Sequence, residues 1–148
     1  MLYAAEHTNP DIILHLGDNV SDAQNLSRQL PNTIMYIVKG NCDYSDKGEI
    51  ELLLTLDSKK VFMTHGHTYG VKSGLTMLIE RARQLEADIV LYGHTHRAAL
   101  NREHKLWLLN PGQMERHDKS LTASYGIVTI EDGSLECGIE VLPTNVNL

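Results

Sequence analysis

Cysteine is scarce in this chain: Cys42 and Cys137 are the only two, far apart and without CxxC spacing. That excludes a disulfide framework and a thiolate metal knot, and it reads as a cytoplasmic protein. No stretch approaches the ~20 apolar residues of a membrane span. The opening "MLYAAEHTNPD" also lacks the basic, then apolar, then small-residue order of a signal peptide. A soluble protein with no membrane partner is expected. Basic residues are outnumbered too, with 13 Lys and Arg against 19 Asp and Glu and a formal net charge of −6. This balance argues against broad capture of nucleic acid phosphates or anionic membranes, so long nucleic acid is not an expected partner. Any phosphate ligand needs a local cation.

What is present suits one domain, residues 1–148, since a chain of this length buries roughly 70% of the surface it would expose unfolded. Short apolar runs rich in β-branched residues alternate with turn signals at 11–17, 33–40, 60–66 and 87–93, and predict four buried strands. "GLTMLIERARQLEAD" places Leu75, Leu78, Ile79, Ala82 and Leu85 at helical spacing. Residues 21–30 predict a shorter helix, with Ser21 or Asp22 as its cap and Pro31 as its stop. After His96 the pattern becomes antiparallel β, "AALNREHKLWLLN" and then "SYGIVTIEDGSLECGIEVL", the latter turning at Asp132-Gly133. "MLYAAEH" reads as the last turns of a helix with "TNPD" as its stop.

Four strand ends carry metal-capable side chains beside glycine: Gly17-Asp18, Gly40-Asn41, His65-Gly66-His67 and Gly93-His94-Thr95-His96. In α/β sheets binding groups gather beyond the carboxyl ends of neighbouring strands, so these loops are expected to converge on one crevice. In an extended loop residues two apart project to the same side, which would let His94 and His96 face one site. Carboxylate, amide oxygen and imidazole form a mixed set suited to Mn²⁺, Fe or Zn²⁺ rather than Ca²⁺. Taken singly, Gly17-Asp18 and Gly40-Asn41 are ordinary turn chemistry, and the two histidine pairs carry more weight. His7, His15, His104 and His117 read as surface or internally satisfied histidines, and Trp107 as core or interface. "NPG" at 110–112 reads as a loop shaper beside the site, and "ERHDK" at 115–119 as a solvated loop whose Arg116 could meet a phosphate.

The ordered series GD, GN, H-x-H, G-H-x-H resembles the signature of the calcineurin-like metallophosphoesterases. "GNCD", "THGH" and "NPG" are similar to their small prokaryotic branch, the YfcE-type phosphodiesterases. The resemblance implies a four-layer α/β/β/α sandwich with a dinuclear site at the strand ends. It implies Asp18 as the carboxylate shared by two divalent ions, Asn41, His65 and His94 as the other ligands of the second ion, and His96 as a ligand of the first. Mn stands first among the implied metals, with Zn, Fe or Ni as alternatives. His67 falls where a family histidine lies beside the substrate phosphate. Many members carry histidine after GN to protonate the leaving oxygen; here Cys42 stands there, a poor proton donor while neutral, so good leaving groups are expected.

The family's opening motif, Asp-x-His, is absent: no Asp in this sequence has His two residues later. Together with the helix remnant at 2–7, this leads us to expect that the first strand and most of the first helix are missing. The first metal is then left with Asp18 and His96, giving one well-held ion, one weak position and reduced activity. Exposed strand edges would favour a homo-oligomer. The expected function is hydrolysis of a small phosphodiester. The alternative is a non-catalytic scaffold on the same fold, like the retromer small subunit.

Overall fold

The computed structural model describes residues 1–44, 48–114 and 122–143. The chain runs α1 (Leu2–Thr8), β1 (Ile12–His15), α2 (Val20–Gln29), β2 (Ile34–Ile37), β3 (Glu51–Leu56), β4 (Lys59–Thr64), α3 (Thr76–Gln84), β5 (Ile89–Tyr92), β6 (Ala99–Glu103), β7 (Leu106–Asn110), β8 (Ser124–Glu131) and β9 (Ser134–Val141). A single 3-10 turn, His67–Tyr69, follows β4. No helix among the described residues is long and apolar enough to cross a membrane.

The centre is a five-stranded sheet in the order β3-β4-β5-β7-β6, with β4, β5 and β7 mutually parallel. Its inner strands β4, β5 and β7 are apolar on both faces because both are covered. Phe62, Val90, Tyr92, Leu106 and Leu108 point to one side, where they meet Leu78 and Ala82 of α3. Val61, Met63, Ile89, Leu91 and Leu109 point to the other, where they meet Leu14, Leu16, Tyr36 and Val38 around β1 and β2 and Val128, Ile130, Leu135 and Cys137 of β8 and β9. The strict alternation of strand side chains thus builds two cores with one sheet. Ala4 of α1 packs separately with Ala123 and Leu142 at the ends of the β8–β9 hairpin. The buried Ala23 and Leu26 of α2 likewise take no part in the inter-sheet core. The layers are therefore helix, sheet, sheet, helix, as expected.

The second sheet is divided. β1 pairs in parallel with β2, and β8 pairs with β9, as two separate ribbons with no strand joining them among the described residues. The expected strands, the α3 helix and both late hairpins are present at the anticipated positions. Strand β3 is one that the sequence pattern did not assign; it pairs with β4 through a turn at Asp57 and Ser58, both at positive φ.

The cap of α2 also differs from expectation. Neither Ser21 nor Asp22 caps it, because the helix begins one residue earlier, at Val20. The Val20 N–H donates instead to Asp43 Oδ1 at 2.9 Å, while Asp43 Oδ2 accepts from Gly40 N–H at 2.8 Å. One half-buried carboxylate therefore caps a helix and ties two site loops together. Asp43→Ala is expected to lower stability by about 1–2 kcal/mol in urea unfolding; an unchanged midpoint would show that the loops do not depend on it.

Candidate metal centre

Strands β1 and β2 run on into Gly17-Asp18 and Gly40-Asn41, and strands β4 and β5 into His65 and Gly93-His94. Each pair is parallel, so all four loops leave from carboxyl ends. The two glycines let them touch. A Cβ at Gly40 would stand 2.1 Å from Asp18 Oδ1, and one at Gly17 (φ +91°) would stand 2.6 Å from Gly40 N and 2.9 Å from His65 Nδ1. Only a residue without a side chain fits either place.

His65 is the meeting point. It is 3% exposed, and its Nδ1–H donates to the Leu16 carbonyl at 2.7 Å. That bond fixes the tautomer and leaves Nε2 with its lone pair facing the loops. Around Nε2 stand Asn41 Oδ1 at 3.2 Å, His94 Nδ1 at 3.2 Å and Asp18 Oδ2 at 3.4 Å. Asn41 is oriented by its own Nδ2, which lies 3.4 Å from Cys42 Sγ. An unprotonated nitrogen thus faces two oxygen acceptors, an arrangement that a cation relieves. The spacing fits as well: ligands about 2.1 Å from one ion at near-octahedral or tetrahedral angles lie roughly 3.0–3.4 Å apart. Asp18, His65 and His94 do not close a three-donor metal cage by themselves. The fit rests on the separations from His65, with the Asn41 oxygen as the further donor.

Protonation does not supply that cation readily. Burial holds the His65 imidazole below its ordinary range against the opposing pull of the Leu16 carbonyl and Asp18. Burial, then the charge of Lys72, does the same to His94. Asp18 is held from a further side by Cys42 N–H, which donates to its Oδ1 at 2.9 Å. Asp18's charge, ahead of burial, pushes the exposed Cys42 thiol up, so it stays protonated near neutral pH.

The other anticipated residues are placed unequally. His67 lies in the cluster, its ring centroid 5.4 Å from His65 and 6.1 Å from His94. Its Nδ1 is buried and has no hydrogen-bond partner among the described residues. His96 is exposed, and no hydrogen bond, ion pair or ring contact joins it to the cluster among the described residues. The expectation that His94 and His96 project alike from an extended loop does not hold, because both adopt left-handed backbone, φ 67° and 59°. Arg116 and His117 lie outside the described residues. His15 is satisfied, its Nδ1 accepting the Gly17 N–H at 3.3 Å, and His7 stacks on Tyr3. Trp107 packs into the inter-sheet core, as expected, with Arg102 over its ring.

Two residues inside the quoted motifs "GNCD" and "NPG" support these loops. Asp43 is one. Asn110, fully buried, is the other: its Nδ2 donates to Gly93 O at 3.1 Å and to Thr95 Oγ1 at 2.9 Å, and its Oδ1 accepts from Gly112 N–H at 3.0 Å. It pins the Gly93–His96 loop from β7, the part foreseen for "NPG" as a whole. Asp18, Asn19, His94 and His96 all take positive φ on these loops. Left-handed backbone costs a non-glycine residue roughly 1 kcal/mol or more, a strain that gathers at functional loops.

The family model described as "Calcineurin-like phosphoesterase superfamily domain" matches residues 1–133. "Probable metallophosphoesterase YsnB" of Bacillus subtilis (strain 168) is 37% identical over 123 residues, 82% of this chain and 70% of that protein. "Phosphodiesterase YfcE" of Escherichia coli (strain K12) is 26% identical over 122 residues, 72% of this chain and 62% of that protein. Vacuolar protein sorting-associated protein 29 of Schizosaccharomyces pombe is 33% identical over 96 residues, 65% of this chain and 48% of that protein. A crystal structure from Streptococcus pneumoniae TIGR4, described as a predicted phosphoesterase, superposes with a TM-score of 0.78 at 27% identity, covering 97% of this chain and 84% of that one. The chain thus spans from about half to 70% of the length of these curated relatives.

Two outcomes follow from the geometry. With His65 and His94 held neutral in the fold, the unfolded chain binds more protons below its ordinary histidine value of 6.5. Their contribution is therefore complete above that pH and is lost as pH falls toward the depressed folded values. Urea midpoints should hold between about pH 8 and 7 and decline by pH 5.5; a flat profile would show that the imidazoles are not held neutral. His96→Gly removes a left-handed strain without losing a cluster contact, and should raise stability by about 0.5–1 kcal/mol. A destabilised variant would mean that the side chain is engaged.

Proposed function

The chain belongs to the calcineurin-like phosphoesterase superfamily, and from that premise we propose that it is a metal-dependent phosphodiesterase acting on small phosphodiesters. The observation carrying this reading is the meeting of Asn41 Oδ1, Asp18 Oδ2 and His94 Nδ1 around the unprotonated His65 Nε2. Asp18, Asn41, His65 and His94 would hold the divalent ion; the mixed oxygen and imidazole set suits Mn, Fe or Zn, and the family likeness puts Mn first, with Zn, Fe or Ni as alternatives. When bound, such an ion supplies positive charge against which the negative charge developing on a phosphate is stabilised. A second ion has Asp18 and His96 as its candidates within this sequence, and we take that position as the weaker.

The chain's own residues do the rest. The Leu16 carbonyl aims His65, Cys42 N–H aims Asp18, and Asn110 holds the loop that carries His94. His67 presents a buried nitrogen with no hydrogen-bond partner among the described residues beside the cluster, suited to a phosphate oxygen when that nitrogen is protonated. Cys42 is kept a neutral thiol by Asp18 and gives little help to a departing alkoxide, so esters with good leaving groups react best. The proposal includes a cytoplasmic location, consistent with only two cysteines, and a homo-oligomer formed through the strand edges that β1 and β8 leave unpaired among the described residues. The likeness to the Schizosaccharomyces pombe protein supports one competing reading, a scaffold that binds through surfaces without turnover.

Purified protein with added Mn²⁺ should hydrolyse an activated aryl phosphodiester, and Asp18→Ala should lose at least about 100-fold in kcat/KM. Calorimetric titration with Mn²⁺ should give one tight equivalent in the parent and none in Asp18→Ala. Equal rates in parent and variant, with no metal bound by either, would favour the scaffold.

A further inference from the structure

The turn that carries His67 has little to hold it from within. It is a single 3-10 turn, His67–Tyr69, set between Gly66 and Gly70, which both take left-handed backbone at φ +97° and +60°. So short a turn makes few hydrogen bonds of its own, here Tyr69 N–H to Gly66 O at 3.0 Å and Gly70 N–H to His67 O at 3.3 Å. The buried His67 Nδ1 has no hydrogen-bond partner among the described residues, so no bond at that nitrogen sets the ring. The place of the ring is left to whatever fastens the turn.

Three contacts fasten it. Val71, 5% exposed, packs on Gly66, where an added Cβ would stand 3.0 Å from its Cγ2. The Tyr69 ring meets the fully buried Phe62 edge-on, with centroids 6.1 Å apart. The Tyr69 hydroxyl donates to the Glu51 carboxylate, whose other oxygen accepts from Arg81 Nη2 of α3 at 2.6 Å. Glu51 is itself fixed: as the first residue of β3 it pairs with Thr64, the residue before His65. Thr64 Oγ1 donates to Ile50 O at 3.0 Å and accepts from Gly66 N–H at 3.3 Å. Strand β3 and helix α3 thus both reach the turn through one carboxylate.

We propose that Glu51 is a positioning residue: through the Tyr69 hydroxyl it fixes the His67–Tyr69 turn, and so sets the His67 ring beside the metal centre where it meets the substrate phosphate. The inference rests on the phosphodiesterase reading and adds a carboxylate, outside the ligand set, that governs how the phosphate is met. Glu51 touches neither ion nor ester. A positioning group acts only through the group it positions, so its loss costs nothing further once His67 is gone. Asp18, Asn41, His65 and His94 lie outside the turn, and the ion's affinity does not depend on Glu51.

The test uses the Mn²⁺-loaded protein with Tyr69→Phe, Glu51→Ala and Glu51→Gln, and repeats the first two changes in a His67→Ala background. Tyr69→Phe keeps the ring on Phe62 and should lower kcat/KM for the aryl phosphodiester about fivefold; Glu51→Ala should lower it about tenfold, and Glu51→Gln should recover part of that loss. In His67→Ala the same changes should cost less than about twofold. Inorganic phosphate affinity, measured by calorimetric titration, should follow the same cycle without any turnover, while Mn²⁺ binding stays as in the parent. Losses that persist in full in His67→Ala, or no loss in Tyr69→Phe, would overturn the assignment and leave the hydrolase in place. If Glu51→Ala does not fold, Tyr69→Phe decides alone. A parent whose phosphate affinity follows the cycle yet which hydrolyses nothing would keep the assignment and remove the phosphodiesterase. A parent that binds no phosphate and hydrolyses nothing would overturn both.

Discussion

The hydrogen bond from His65 to the Leu16 carbonyl, 2.7 Å long, is the constraint on which the site depends. It joins the end of β4, in the central sheet, to the end of β1, in the facing ribbon, so one contact belongs to the fold and to the chemistry alike. By occupying Nδ1 it leaves the other ring nitrogen bare, and by holding the ring it points that nitrogen at Asp18, Asn41 and His94. A ring free to rotate could exchange its nitrogens and turn a lone-pair cluster into an ordinary hydrogen-bonded one.

That bond forms only because the chain around it has been thinned. Gly17 and Gly40 bring two loops to backbone contact, and any side chain at Gly40 would displace the Asp18 carboxylate. Asp43 and Asn110 then hold these loops from neighbouring elements. The left-handed residues Asp18, Asn19, His94 and His96 are offset by this scaffold of side-chain hydrogen bonds. Local backbone preference is given up at the ends of β1 and β5 and regained through Asp43, Asn110 and the two buried cores.

The strands were legible where they are apolar on both faces, as at Ile89–Tyr92, and the α3 helix was legible from the spacing of Leu75, Leu78 and Ala82. Asp132-Gly133 announced its hairpin because that pair favours the required positive φ. Strand β3 was not legible: "ELLLTL" is rich in leucine rather than β-branched residues, and its Asp57-Ser58 turn lacks the glycine that marks such turns. The four converging side chains could be picked out because each follows an apolar run and stands beside glycine. The orientation of His96 could not, since alternation assumes extended backbone and the loop takes left-handed turns instead. Nor could the distant partners of Asp43 and Asn110 be named, because Val20, Gly93 and Thr95 lie 15 to 23 residues away from them in the chain.

Anomalous diffraction at the manganese edge, from crystals of the protein soaked in Mn²⁺, tests the account most directly. A peak within about 2.3 Å of His65 Nε2 and of the Asn41, Asp18 and His94 donors, with the Leu16 bond intact, is the predicted result. A map with no peak there, or with the His65 ring turned so that Nε2 donates to a neighbour, would contradict it.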